Sequence, residues 1–414
     1  MSFGLYIIIL CGCSYDFVNA RLEKAAFQAR TGYISDFKSV DTGHYHNVIF
    51  AIKQMNMKYL EEALFDVSDP KSSHYGKHMN RNAIAKLSGN PIGRYSVIQF
   101  LQSNNIQIVN QTLHGEFITA RASIEKWQKV FSNQFYKFSH ISGKYPDVVR
   151  ALYYNIPDII SEHVITAFNV IHLPLPKHKS SHILTDLTGL SASDIGVTPK
   201  RLNEFYHISS NTGSMSVKQT IYSSANQYFS SDDLRLFQSM ISSPNHPIDF
   251  DLYNRDNSVA CDIEATLCEE SNLDVQYLTA IAQNTTTEII YDSSDDYMVA
   301  WITGTAEQPE PSSVQSISYG YQESDMIGYE SYLQLFNEQA IKLGLMGVTI
   351  VAASGDDGVA GFHARHNISA CGYDASFPAS SPYVVAVGAT QGLERGKAEK
   401  ACMADSGGGI TSGG

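Results

Sequence analysis

Val348 to Gly358 reads VTIVAASGDDG. The first six residues, Val348 to Ala353, form a near-continuous apolar and β-branched run, the pattern of a strand buried on both faces rather than one. Ser354-Gly355-Asp356-Asp357-Gly358 follows, and its two glycines let the backbone come close to a ligand. Polar residues at the carboxyl end of a parallel strand lie where open α/β sheets build their sites. Working outward, Tyr329 to Leu343 predicts a helix with Tyr332, Leu335, Phe336, Ala340 and Leu343 on one face and Gly344 as its stop. Strands are predicted at Val217–Tyr222, Glu288–Tyr291, Val314–Tyr319 and Val384–Val387. Between them, Ser230-Ser231-Asp232-Asp233 caps a helix running to about Ile241, and Glu264 to Ala282 reads as a longer one. Strands and helices that alternate in this way predict an α/β fold, a parallel sheet covered by helices on both faces.

The front of the chain reads differently. From about Asn47 to Leu173 short strands (Asn47–Lys53, Ile106–Val109, Phe117–Ala120, Phe135–Phe138) alternate with helices (Met57–Val67, Tyr95–Asn104, Ile124–Val130). That pattern predicts a separate α+β sandwich. His178 to Asp194 (HKSSHILTDLTGLSASD) is polar and reads as an exposed linker open to cleavage.

At 414 residues the chain is long enough for two or three domains, each with its own core. Lys and Arg number 29 against 42 Asp and Glu, a formal charge of −13 with no basic stripe. Phosphate backbones and anionic membranes need clustered cations, so nucleic acid and membrane surfaces are excluded as expected partners. Leu5–Cys13 is apolar but too short to span a bilayer, and Val18-Asn19-Ala20 before Arg21 resembles a signal-peptidase site. Residues 1–20 are therefore read as a secretory signal, although Met1 to Gly4 lack the usual basic residue. Cys261, Cys268, Cys371 and Cys402 remain after it, with three pairings open and no zinc spacing. Sequons at Asn110, Asn284 and Asn367 fit the secretory pathway, lysosomal or secreted.

Glu270 and Asp274 stand four apart on a predicted helix, so both project from one face. A solvated helix surface explains many such pairs. Here Leu267, Leu273, Tyr277 and Leu278 make the helix largely apolar and place the pair near the core boundary. Asp41-Thr42-Gly43-His44 resembles an aspartate motif of peptidases, but no hydrophobic strand frames it and it reads as a turn.

Four segments in order, Glu270-Ser-Asn-Leu-Asp274-Val-Gln-Tyr-Leu278, Ser318-Tyr319-Gly320, Ala353-Ser-Gly-Asp356 and Phe377-Pro-Ala-Ser-Ser-Pro-Tyr-Val384, resemble the sedolisins, the serine-carboxyl peptidases, and most closely their tripeptidyl-peptidase branch. Val67-Ser-Asp-Pro-Lys-Ser-Ser-His-Tyr-Gly-Lys77 is similar to that family's activation prodomain. Gly196-Val-Thr-Pro199 is similar to the start of its mature enzyme, and Ser406–Gly409 to a later glycine loop. The resemblance implies a subtilisin-like sheet with flanking helices, preceded by a ferredoxin-like prodomain. It divides the chain into residues 1–20 (signal), 45–175 (prodomain), 176–194 (linker) and 195–414 (an incomplete peptidase domain). It implies Glu270 as general base, Asp274 as the group holding it, Asp356 as donor to an oxyanion, and Ser318, Tyr319 and Gly320 as the substrate-binding segment. Peptides and proteins are then the substrates, cut at acid pH, and the chain's own prodomain is the inhibitor. Calcium is expected from the family, with no ligands for it in this chain.

The family's nucleophile is a serine in Gly-Thr-Ser, and that triplet does not occur here. Ser412, in Thr411-Ser412-Gly413, lacks the helix a nucleophile needs behind it. An ending inside a glycine stretch reads as a truncated chain, inactive in this form and poorly soluble alone. The alternative is a catalytically inactive homologue that binds or inhibits an intact relative; a third reading is a structural domain that kept the fold and lost the chemistry.

Overall fold

The computed structural model describes residues 21–24, 32–38, 40–143, 145–174, 197–251, 253–292, 298–365, 367–393, 396–403 and 410–412. The expected signal, the linker and the Ser406–Gly409 loop lie outside these residues.

In the front domain, β1 (Tyr45–Ile52) runs into α1 (Met57–Ser68), followed by α2 (Arg81–Ser88) and α3 (Pro91–Ser103). Next come β2 (Gln107–Gln111), β3 (Phe117–Ser123), α4 (Ile124–Phe131) and, after two short pairings, β4 (Val164–Phe168). The sheet order is β2-β3-β1-β4, with every pairing antiparallel. This is the split βαββαβ arrangement of ferredoxin-like sandwiches. Local chemistry fixes the helix starts. Asn80 Oδ1 accepts from Ala83 N at 2.9 Å and Asn90 Oδ1 from Gly93 N at 2.8 Å, with Pro91 opening α3. Phe50, Trp127, Phe131 and Phe135 fill the core beneath the sheet.

In the rear domain the elements are β5 (Lys218–Ser223), α5 (Ser231–Met240), β6 (Phe250–Asp251), α6 (Glu269–Ile281) and β7 (Thr286–Tyr291). They continue with α7 (Val299–Glu307), β8 (Val314–Ile317), α8 (Glu330–Leu345), β9 (Thr349–Ala353) and β10 (Val385–Val387). The six strands lie in the order β6-β7-β5-β8-β9-β10, all parallel. All their carboxyl ends therefore fall on one edge, which sets the position of everything chemical below.

Three expectations need correction. The long helix expected from Glu264 is broken: a short helix, Ser258–Ile263, ends at Glu264, and α6 starts only at Glu269. Cys261 and Cys268 bridge the break, while Cys371 and Cys402 are free thiols, so two of the four cysteines are paired rather than all. Gly344 does not stop α8, which continues to Leu345. A Cβ on Gly344 would stand 2.7 Å from Leu64 Cδ1, so the glycine makes room for α1; the left-handed residue is Gly347, φ 88°. Finally, Leu273 is exposed, and α6 buries Ser271, Asp274, Val275, Thr279 and Ala280 instead.

The two domains share a core. Ala51, Phe117, Ile165 and Phe168 of the front sheet pack into one cluster with Trp301, Ile302, Tyr332 and Phe336 of α7 and α8. Polar ties surround it. Lys342 Nζ reaches Glu116 Oε1 at 3.1 Å and Gln54 Oε1 at 2.8 Å, with the ion pair 5% and 7% exposed. Arg81 donates to the Glu307 carbonyl, Tyr383 to Glu61, and the Tyr329 hydroxyl to the Leu173 carbonyl at 3.0 Å.

Candidate active site

The carboxyl edge of β5, β7, β8 and β9 gathers the residues singled out above. Ser318 directly follows β8, and its Oγ donates to Asp274 Oδ1 at 2.7 Å. Asp274 is buried on α6, and its Oδ2 has no hydrogen-bond partner. Burial, then the neighbouring Glu270 charge, holds its carboxyl well above the usual range; the Ser318 hydrogen bond opposes this only partly. Glu270 is half-buried one turn earlier, and its backbone N donates to Gln227 Oε1 at 3.3 Å. It occupies the first turn of α6, where the positive end of the helix dipole favours a negative group. The environments of the two acids thus differ: Asp274 is buried with its carboxyl held up, and Glu270 is half-buried at a helix start.

Tyr319 stands beside both acids. Its phenol is held above its ordinary range by burial, then by Asp274 and Glu270. Its ring meets Tyr222 at 5.6 Å, and the Tyr222 hydroxyl donates to Asp292 Oδ2 at 3.0 Å. Beneath them Ser223 Oγ and Ser271 Oγ are 2.9 Å apart and tie β5 to α6. Sequence reading missed this second layer of Tyr222, Ser223, Ser271 and Asp292. The only available signal was position, since Tyr222 and Ser223 end one strand and Asp292 directly follows another.

Gly320 and Gly355 are required where they stand. A Cβ on Gly320 would lie 2.5 Å from Ser376 Oγ and 2.8 Å from the Phe377 carbonyl, and Gly355 has φ 99°. Ser376 is also the residue nearest a Cβ at Gly355, at 3.6 Å, so the segments at 318–320, 355–356 and 376–377 converge. Asp356 is half-buried in the loop after β9, the strand next to β8, where Ile317 pairs with Ala352. Its carbonyl accepts from Thr411 N at 3.0 Å, and Asp357 pairs with Arg365. Ser412 Oγ accepts from Ala389 N at 3.0 Å.

Among the described residues no group of three or more His, Cys, Asp or Glu side chains gathers as metal ligands. No step below passes through calcium.

Residues 33–171 match the family model of the pro-kumamolisin activation domain. The chain is 27% identical over 413 residues to tripeptidyl-peptidase 1 of Pongo abelii, covering 94% of this chain and 69% of that one. Against tripeptidyl-peptidase 1 of Homo sapiens it is 27% identical over 409 residues, covering 94% and 68%. A Pseudomonas sedolisin, a serine-carboxyl proteinase solved with two molecules of pseudo-iodotyrostatin, is similar over 53% of this chain and 62% of that one, with 20% identity and a TM-score of 0.38.

Proposed function

From this kinship with tripeptidyl-peptidase 1 and the sedolisins, we propose that the chain is a serine-carboxyl peptidase precursor that hydrolyses peptide bonds at acid pH. The observation that carries the reading is the buried Asp274 carboxyl, bonded to Ser318, four residues from a Glu270 at the helix start. Glu270 acts as the general base that takes a serine proton, and Asp274 holds Glu270 in place as the third member of the triad. Asp356 donates to the oxyanion of the tetrahedral intermediate, which it can do only while protonated. The Ser318-Tyr319-Gly320 segment lines the acyl side of the substrate. The attacking serine is not supplied by these 414 residues, which contain no Gly-Thr-Ser.

Residues 45–175 serve as an intramolecular inhibitor, and cleavage in 176–194 releases a peptidase domain that begins near residue 195. Thr198, whose Oγ1 accepts from Arg201 N at 3.3 Å, and Pro199 start the first rear helix there. An acidic secretory compartment suits a carboxyl that must keep its proton. Exposed asparagines at all three sequons support passage through that pathway. The test expresses the full-length gene product and assays release of amino-terminal tripeptides and internal cleavage at acid pH. Activity should vanish in Glu270→Ala, Asp274→Ala and Asp356→Ala; full activity in any one would remove that residue from the mechanism.

A further inference from the structure

His172 is the last-but-two described residue of the front domain before the linker. It is 5% exposed, wedged between the rings of Tyr329 and Tyr332 at 4.9 and 4.8 Å, and its Nδ1 has no hydrogen-bond partner. These tyrosines belong to the rear domain, one just before α8 and one in its first turn. That end of α8 faces the carboxyl edge of the sheet, where the candidate site lies.

The charged group beside the ring is a cation. Arg150 Nε donates to the His172 carbonyl at 2.6 Å, and its other nitrogens reach the Val149 carbonyl at 2.9 Å and Asn169 Oδ1 at 3.2 Å. From the remaining packed elements come the tyrosines, the Gly328 carbonyl and, through the Asn169 carbonyl at 2.7 Å, the half-buried imidazole of His46. The Gly328 carbonyl favours protonation, but burial and then Arg150 outweigh it. A proton on His172 would therefore be a buried charge beside a like charge, which the docked arrangement strongly disfavours.

We propose that His172 is an acid-operated pin: neutral, it lets the end of the front domain dock on Tyr329 and Tyr332, and its protonation loosens that docking. The inference rests on the reading of the front domain as a releasable inhibitor and adds the group that senses pH.

The sign follows from linkage. Burial and then Arg150 hold His172 down from 6.5 to about 3 in the docked chain. Arg150 travels with the front domain, but the burial supplied by Tyr329 and Tyr332 is lost on parting, so the docked state binds fewer protons and loses stability as pH falls below 6.5. At about pH 4.5, two units below the ordinary value, a full return to that value on parting would weaken docking by about a hundredfold, and the Arg150 that stays beside the ring makes this the upper bound. His46, His114, Glu116 and Glu307 also titrate away from their ordinary values in or near this interface. They are common to wild type and variant and cancel in the comparison.

The experiment places a specific protease site within residues 176–194 of the full chain carrying Glu270→Ala, so that no self-cleavage intrudes. The chain is nicked at neutral pH, and co-elution of the two pieces is followed from pH 7.5 down to 3.5. Wild type should separate as pH falls below 6.5, whereas His172→Gln should hold together up to about a hundredfold more tightly at pH 4.5 and separate at a lower pH. Should His172→Gln fold poorly, His172→Phe carries the same expectation. NMR of labelled histidine rings in the uncut chain should then show His172 staying neutral until the domains part. Identical separation curves for wild type and variant, or wild-type pieces that stay together to pH 3.5, would overturn the proposal. Neither readout uses peptidase activity, so failure of the peptidase reading is told apart from failure of the pin.

Discussion

Asp274 and Glu116 are both buried carboxyls, and they are held in opposite directions. Glu116 sits against Lys342 at the domain interface; its cation and hydrogen bonds outweigh burial and keep its carboxyl below the ordinary range. Asp274 has a hydroxyl from Ser318 and a second acid, Glu270, and is driven up. Paired with a cation, a buried carboxylate is architecture. Set beside another acid and one weak donor, it becomes a proton store, which is the property acid-base chemistry draws on.

The strongest way to break the contrast is activity in the full-length product. Asp274→Asn removes the stored proton and the negative form together, and kcat/KM should fall by at least about a thousandfold. Glu116→Gln lies in the front domain and leaves with it, so the rate per released enzyme should stay within about threefold and any change should appear only in yield. A comparable loss in both would erase the distinction.

Stability sharpens it next. Glu116→Ala leaves Lys342 buried without its anion and should cost about 3–5 kcal/mol in denaturant unfolding at neutral pH. The double change Glu116→Leu with Lys342→Met should recover most of that, since apolar groups of similar volume replace a buried pair at little cost. A double variant no better than the single would show that the pair contributes more than charge balance.

The pH dependence separates the sites by sign. The folded-state value of Asp274 is raised, so its contribution is most favourable at low pH and is lost as pH rises through that raised value. Glu116 is depressed, so its contribution is present above the ordinary glutamate range and lost as pH falls through the lowered value. Asp274→Asn should therefore stabilise the chain at neutral pH by on the order of 1 kcal/mol and change little in acid, followed by urea midpoints across pH. A uniform shift at every pH would contradict the burial of a protonated acid.

Smaller still, Ser318→Ala removes the hydroxyl that draws Asp274 down. It should cost about 1 kcal/mol and move the alkaline limb of the pH–rate profile, where Asp274 loses its proton, upward. The exposed Glu125–Lys129 pair serves as a baseline, with Lys129→Ala changing stability by about 0.5 kcal/mol at most.

Periodicity carried much of this design. The strand run before Gly355 and the four-residue spacing of Glu270 and Asp274 point, from sequence alone, to the sheet and to one helix face. Helix α7 was not legible, because Val299, Trp301, Ile302, Thr303, Thr305 and Ala306 are all buried between the sheet and the front domain. A helix covered on opposite sides shows no amphipathic period. The break before α6 was hidden because the sequence shows two cysteines but not their bridge. The bond from Ser318 to Asp274 joins positions 44 residues apart and depends on β8 lying beside β5, which no local pattern encodes.

The most direct test of the central claim reads the protonation state of Asp274 itself. Difference infrared spectra between wild type and Asp274→Asn, with carboxyl-labelled aspartate and across a pH titration, isolate that one group. A protonated carboxyl band should persist well above the pH at which ordinary aspartates ionise and be missing from the variant. A band that vanishes with the bulk aspartates would mean that Asp274 is an ordinary carboxylate and that the proton store does not exist.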